Sequence, residues 1–97
     1  MAAPSLSQIR ARRAEILQIT EAHGAHNVRI FGSVVRGQAR PDSDVDFLVQ
    51  FEPGRNVLDL SGLILDLQDA LARDVHVIDV REKSPLVEKI MRESVPL

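Results

Sequence analysis

The sequence contains no cysteine, no tryptophan and no tyrosine, and phenylalanine occurs only 3 times among 97 residues. Without cysteine the chain has no disulfides, no thiolate metal ligands and no cysteine nucleophile. The few aromatic rings offer little surface on which single-stranded bases could stack. No hydrophobic run approaches the roughly 18 residues of a membrane span, and the first residues lack the apolar core of a secretory signal. We therefore expect a cytoplasmic protein with no membrane partner.

Charge is nearly balanced overall but unevenly distributed along the chain. The formal net charge is -2. Residues 1–40 carry six arginines and two glutamates, whereas residues 41–97 carry six basic and twelve acidic side chains. This balance does not favour a basic surface across the whole domain, so we expect no direct binding to long nucleic acids. The basic half could instead meet an anion, and the acidic half could hold cations.

Hydrophobic periodicity and capping residues predict helices and strands in alternation. In chain order, the predicted elements are a helix from Ser5 or Ser7 to His23, a strand over Asn27–Phe31, a short helix from about Val34 capped by Ser33, a strand over residues 45–51, a helix opening at Asn56, a strand over Val75–Val80, and a helix opening at Ser84 and Pro85. This order predicts one α/β (α+β) domain over residues 1–97, with a small mixed sheet of three or four strands packed with helices.

A glycine and a serine follow the first predicted strand. Gly32 permits a close approach of the backbone to a ligand, and Ser33 lies where a short helix is expected to begin. The first N–H groups of a helix are unpaired donors in a region of partial positive charge, which suits phosphate oxygens. The pair therefore predicts an anion-binding turn, although a Gly-Ser turn on its own more often only lets the chain bend.

Two aspartates mark the entrance of the next predicted strand. Asp44 and Asp46 are two positions apart, so we expect both carboxylates on one face of the strand, with Cα atoms roughly 6.6 Å apart. Two like charges at this separation favour bound cations or a basic neighbour. A metal-bound triphosphate would satisfy both the turn at Gly32 and the carboxylates, which indicates phosphoryl or nucleotidyl transfer.

The segment FGSVVRGQARPDSDVDFLV, read as G-S-x10-D-x-D, resembles the minimal nucleotidyltransferase (MNT) family of the DNA-polymerase-beta-like superfamily. The similarity extends over essentially the whole chain, including the terminal LVEKIMRESVPL, and the chain looks like members that act as antitoxins of HEPN-domain toxins. The resemblance implies a nucleotidyltransferase palm that uses ATP and Mg²⁺ to place AMP on a tyrosine of the partner toxin, which silences its RNase activity.

The resemblance also implies roles for individual residues. It assigns binding of the nucleotide or its triphosphate to four residues, Gly32, Ser33, Arg36 and Ser43. It assigns metal binding to Asp44 and Asp46. Ser33, Asp44 and Asp46 would be catalytic. A domain of this size has no separate region to grip an acceptor, so we expect a protein partner that brings its own surface. Apolar positions such as Val34, Val35 or Leu86 could contribute to that interface.

The sequence departs from the family pattern at the third carboxylate. The segment Arg73-Asp74-Val75-His76-Val77-Ile78 aligns His76 where the family usually has aspartate. We add His76 to the catalytic candidates, because an imidazole can accept a proton near neutral pH. Magnesium prefers oxygen ligands, so a metal bound there would more readily be Mn²⁺.

Two alternatives stay open at this position, and two others concern the function of the whole domain. Asp74 shares strand parity with His76 and could replace it if the register slips by two residues, whereas Asp79 should face away from the site. His76 could also be only a hydrogen-bonded residue of the sheet. In a rival function the domain transfers nothing and neutralises its toxin by binding and occlusion. A generic α/β domain with accidental motifs is the third interpretation.

Overall fold

The computed structural model describes residues 2–97, which form one mixed sheet of four strands. In chain order the strands are β1 (Ala25–Phe31), β2 (Val45–Phe51), β3 (Val75–Asp79) and β4 (Val95–Pro96), and their order in the sheet is β3-β2-β1-β4. β1 is antiparallel to β2 and β4, whereas β2 and β3 are parallel. The expected α/β class and mixed sheet are confirmed. β4 lies outside the predicted strands, because two residues are too few to show alternation.

The helices in this range are α1 (Leu6–Ala11), α2 (Arg13–Ala22), α3 (Ser33–Arg36), α4 (Val57–Leu71) and α5 (Pro85–Glu93). The predicted helix starts at Asn56 and Ser84 are confirmed. The Asn56 side chain accepts the backbone N–H of Leu58 at 2.9 Å, and the Ser84 hydroxyl accepts that of Val87 at 3.1 Å. No helix within residues 2–97 has both the length and the hydrophobicity that a membrane-spanning helix requires.

The predicted first helix is wrong in one respect, since the structure divides it at Arg12. The backbone N–H of Arg12 donates to the carbonyl of Ile9 at 3.0 Å, which is a tightened turn rather than an α-helical one. The second segment, α2, ends at Ala22 with His23 as its C-cap, and Gly24 follows with φ of 76°, as expected for a helix stop.

The two faces of the sheet are covered unequally. On the core face, Val45, Phe47 and Val49 of β2 pack in one cluster with Ile16 of α2 and with Leu63 and Leu67 of α4. On the opposite face, here called the α5 face, a smaller cluster joins Phe31, Leu48 and Ile90. Helix α5 covers this face only in part. The polar side chains near the start of β2 therefore lie on the open part of the α5 face.

Candidate functional site

Three strand ends meet at one edge of the sheet. β1 ends where β2 and β3 begin, because β1 is antiparallel to β2 while β3 is parallel to it. In the resulting register Asp46 lies between Phe31 of β1 and His76 of β3. Residues 31, 46 and 76 are thus direct cross-strand neighbours on the α5 face. The structure brings together the turn, the second aspartate and the histidine that the sequence singles out.

Gly32 supports the carboxylate of Asp46. A Cβ built on Gly32 would overlap Oδ2 of Asp46 and lie 3.1 Å from its Cγ, so only a residue without a side chain lets the carboxylate reach this place. Gly32 also has φ of 79°, in the region that favours glycine. The close approach and the turn have the same cause, which is the missing Cβ.

The expected cap of α3 is corrected by the structure. Gly32, not Ser33, is the N-cap, and its carbonyl accepts the N–H groups of Val35 at 3.1 Å and Arg36 at 3.2 Å. Ser33 is the first helical residue, because the positive φ of Gly32 turns the chain one residue earlier than the sequence indicates. The first N–H groups of α3 have no partners within the helix, and they follow Gly32, which lies against the Asp46 carboxylate.

Asp44 and Asp46 differ in position more than the sequence predicts. β2 begins at Val45, so Asp44 lies in the preceding loop and is exposed, whereas the Asp46 side chain is only 21% exposed. The expectation that both aspartates belong to the strand is therefore wrong. They remain close enough that the negative charge of Asp44 raises the pKa of the Asp46 carboxyl.

Burial raises the pKa of the Asp46 carboxyl above its ordinary value of 3.8, and repulsion from Asp44 raises it further. The charges of His76 and Arg36 lower the pKa but do not cancel the increase. The ionised form of Asp46 is thus destabilised where it stands, which is the condition under which a carboxylate gains from a nearby cation. The electrostatics of this pair favour a bound cation.

His76 lies beside Asp46 but does not form a tight ion pair with it. Its Nδ1 is 3.6 Å from Oδ1 of Asp46, which is longer than a hydrogen bond, and its side chain is 59% exposed. The ring also lies near Phe31, with centroids 6.4 Å apart. The observed register pairs residue 46 with residue 76, so the two-residue slip that would bring Asp74 to this place does not occur.

Arg36 and Ser43 border the carboxylates in different ways. Arg36 is the last residue of α3, is exposed, and is near enough for its charge to lower the pKa of Asp46. The hydroxyl of Ser43 accepts the backbone N–H of Arg40 at 2.7 Å, so its present role is to shape the loop before Asp44. Val34, expected to be an exposed apolar residue, is buried at 4% because α3 packs on the main core.

The donor set fits a hard divalent cation that also has ligands from elsewhere. Within residues 2–97, no three histidine, aspartate or glutamate side chains are grouped so that they could hold a metal ion. Two carboxylates are nevertheless the usual protein share of a Mg²⁺ site completed by substrate phosphates and water. The residues present fit a metal that arrives with a triphosphate.

The candidate site is an open surface. Four surface cavities in residues 2–97 are lined by residues other than Gly32, Ser33, Asp44, Asp46 and His76. A ligand on Asp46 would stay accessible to a second protein.

Sequence comparison identifies similar domains. The nucleotidyltransferase domain family model matches residues 12–97. The chain is 34% identical over 84 residues to a protein named "Putative protein adenylyltransferase MJ0435" from Methanocaldococcus jannaschii, a match that covers 86% of this chain and 90% of that protein.

Comparison of folds gives the same type of domain. A structure described as a "putative minimal nucleotidyltransferase" superposes with a TM-score of 0.84 and 46% identity, over 97% of each chain. A chain from the complex of a tri-AMPylated Shewanella oneidensis HEPN toxin with MNT antitoxin has a TM-score of 0.69 and 18% identity, over 90% of this chain and 69% of that one. The latter similarity concerns the fold alone.

Proposed function

This chain belongs to the nucleotidyltransferase domain family, and on that basis we propose that it is a protein adenylyltransferase that transfers AMP from ATP to a partner protein. The observation that carries the proposal is the position of the Asp46 carboxylate. It lies against Gly32, where α3 begins, and the negative charge of Asp44 acts on it. The name of the relative from Methanocaldococcus jannaschii supports the same activity.

The partner that we propose is a HEPN-domain RNase toxin, held in a hetero-oligomer and neutralised by AMP on one of its tyrosines. An AMPylated toxin of this class accompanies an MNT antitoxin in one of the structures that share the fold. The open candidate site agrees with an acceptor supplied by another chain. The net negative charge of the chain does not favour a long nucleic acid as acceptor.

Asp44 and Asp46 would hold the metal, Mg²⁺ or Mn²⁺, together with phosphate oxygens of ATP. When bound, such an ion neutralises charge on the triphosphate and makes an attacking hydroxyl easier to deprotonate. The raised pKa of Asp46 has a consequence for this step, because protons compete with the cation for the carboxylate. Metal affinity should therefore fall as the pH is lowered toward the pKa of Asp46.

The remaining site residues bind and orient the nucleotide. The backbone of Gly32 and Ser33 would hold the triphosphate at the start of α3, Arg36 would balance its charge, and the loop shaped by Ser43 would border the nucleotide. The acceptor oxygen then bonds to the α-phosphorus as the bond to pyrophosphate breaks. The hydroxyl proton must leave during this exchange, and His76 is the residue that we propose to receive it.

The role of His76 divides into two hypotheses that one comparison separates. As a metal ligand, His76 should make transfer faster with Mn²⁺ than with Mg²⁺. As a metal ligand or as a proton acceptor, its loss in His76→Ala should slow transfer with both metals. A His76→Asp variant would restore the carboxylate of the family pattern and is expected to favour Mg²⁺. If the wild type transfers at equal rates with both metals and His76→Ala transfers at the wild-type rate, His76 is only a residue of the sheet.

The decisive experiment is incubation of the domain with a HEPN toxin, ATP and metal, followed by intact-mass measurement of the toxin. Each transferred group should add the mass of one AMP residue. Asp44→Asn should reduce the rate by about 100-fold or more, because one of the two carboxylates is lost. Asp42→Asn, in the same loop but outside the proposed set, is the matched control and should transfer at the wild-type rate.

A second function, neutralisation by binding alone, is favoured by one observation. His76 is the cross-strand partner of Asp46, and the family resemblance implies a carboxylate at this position. In this case the toxin would lose RNase activity without any gain in mass. Asp44→Asn would then protect as well as the wild type, whereas under the first function it would not.

A further inference from the structure

The turn between α4 and β3 holds Asp44 from both sides. Before Asp44, Nη1 of Arg73 donates to the carbonyls of Pro41 at 2.7 Å and Ser43 at 3.1 Å. After it, the backbone N–H of Val45 donates to the carbonyl of Asp74 at 3.1 Å. Asp44 itself lies in a loop and lacks the regular ladder of a strand. Its backbone is therefore fixed chiefly by a turn about 30 residues further along the chain.

We infer that Arg73 is a positioning residue for Asp44, and so for the metal and nucleotide that Asp44 would bind. This inference rests on the proposed function for its catalytic consequence. Arg73 does not touch the reacting atoms. Its guanidinium determines where the loop carbonyls lie, and the loop carbonyls determine where the Asp44 carboxylate points.

Guanidinium geometry explains why arginine suits this position. Nη2 of Arg73 donates to the carbonyl of Ala2 at 3.2 Å while Nη1 holds the loop, so one rigid planar group joins two segments. A lysine ammonium could reach one of these carbonyls but has no fixed fork with which to hold both. Arg73→Lys should therefore retain only part of the effect.

Arg81 offers a matched control, because it follows β3 whereas Arg73 precedes it. Nη1 of Arg81 donates to the carbonyl of Glu52 at 2.9 Å and Nη2 donates to that of Arg55 at 3.4 Å, so it holds the loop that follows β2. Arg73 and Arg81 make similar contacts at opposite ends of β3. Only the loop that Arg73 holds carries a proposed metal ligand.

Hydrogen exchange tests the positioning without any reference to catalysis. In Arg73→Ala, the amide of Val45 should exchange about 10-fold faster, because the loop beside it is released, whereas Arg81→Ala should leave this amide unchanged. Arg73→Lys should fall between the wild type and Arg73→Ala. An unchanged Val45 amide in both Arg73 variants would overturn the inference, even if AMP transfer by the wild type is confirmed.

Manganese binding tests the consequence for the site. Paramagnetic resonance of Mn²⁺ with the nonhydrolysable analogue AMP-PNP should show about 10-fold weaker binding to Arg73→Ala, as expected when a group supporting a ligand is lost. Arg81→Ala should bind as the wild type does. Equal Mn²⁺ affinity in Arg73→Ala and Arg81→Ala would contradict the inference. Failure of the wild type to transfer AMP would instead overturn the proposed function and leave the exchange result valid.

Discussion

At the scale of single residues, Gly32 joins the backbone conformation to the chemistry. Alanine at position 32 would need a positive φ and would place its Cβ on the Asp46 carboxylate. Gly54 has φ of 88° with nothing within 4 Å of an added Cβ, so Gly54→Ala isolates the backbone strain alone. That strain should cost roughly 1–2 kcal/mol.

Gly32→Ala should lose more stability than Gly54→Ala, and AMP transfer should fall by about 100-fold because the carboxylate is displaced. Urea unfolding and intact-mass assays of the two variants check this prediction. If both variants transfer AMP equally well, the contact between Gly32 and Asp46 has no functional importance.

Asp46 illustrates how a functional residue can reduce stability. Its pKa is raised in the folded protein, so the folded state binds this proton more tightly than the unfolded chain does. The free energy of unfolding must then decrease as the pH rises from about the ordinary value of 3.8 through the raised value. At neutral pH the ionised carboxylate is therefore a net destabilising feature of the metal-free protein.

Asp46→Asn removes this destabilisation and should raise the Tm of the metal-free protein at pH 7. The difference in Tm between Asp46→Asn and the wild type should diminish as the pH is lowered below 3.8, where Asp46 is protonated in both the folded and the unfolded state. Thermal unfolding across this pH range measures it, with Asp42→Asn as the exposed control. A lower Tm for Asp46→Asn at pH 7 would mean that its attraction to His76 and Arg36 outweighs burial.

At the scale of elements, α4 shows that local signals can define a helix start. The Asn56 side chain accepts one backbone N–H and the Asp59 carboxylate accepts another, each at 2.9 Å. Asn56→Ala should lower the free energy of unfolding by about 1 kcal/mol. Transfer should be unaffected, because α4 begins after the end of β2 that lies away from Asp46. Chemical denaturation measures the loss, and Ser61→Ala, exposed within α4, should stay within about 0.5 kcal/mol of the wild type.

The same local signals explain which elements could be predicted. Strands β1 to β3 and the starts of α4 and α5 follow from alternation and capping residues, which act within a few positions. The short β4 depends on contacts that are distant in the chain. Arg10, for example, donates to the carbonyl of Pro96 at 2.7 Å, a link between the first helix and the last strand. No pattern in either segment indicates this contact.

The candidate site shows the same limit. Spacing and family resemblance locate Gly32, Asp44 and Asp46, because all three lie in one continuous segment. The clamp by Arg73 could not be predicted in this way, since it depends on how the turn after α4 meets the loop before β2. The convergence of three strand ends requires the pairing of β1, β2 and β3, which the sequence leaves open.

At the scale of the whole molecule, the sheet has one strong face and one weaker face. The core face packs α2 and α4 around Ile16, which is fully buried. The α5 face relies on the small cluster of Phe31, Leu48 and Ile90, and β4 adds only two residues to the sheet. We expect α5 to open before the rest of the fold, because few apolar contacts hold it.

Two matched side-chain substitutions, one on each face of the sheet, test whether the two faces differ in stability. Ile16→Ala and Ile90→Ala each remove the same atoms from a buried position, for which losses of about 2–5 kcal/mol are usual. Ile16→Ala should speed hydrogen exchange throughout the sheet, because its cluster includes β1, β2 and β3. Ile90→Ala should speed exchange in α5 and at the Leu97 amide, which donates to the Val28 carbonyl, while β2 stays protected. Uniform acceleration in Ile90→Ala would show that α5 unfolds together with the core, and the open part of the α5 face around Asp46 would then share the stability of the whole domain.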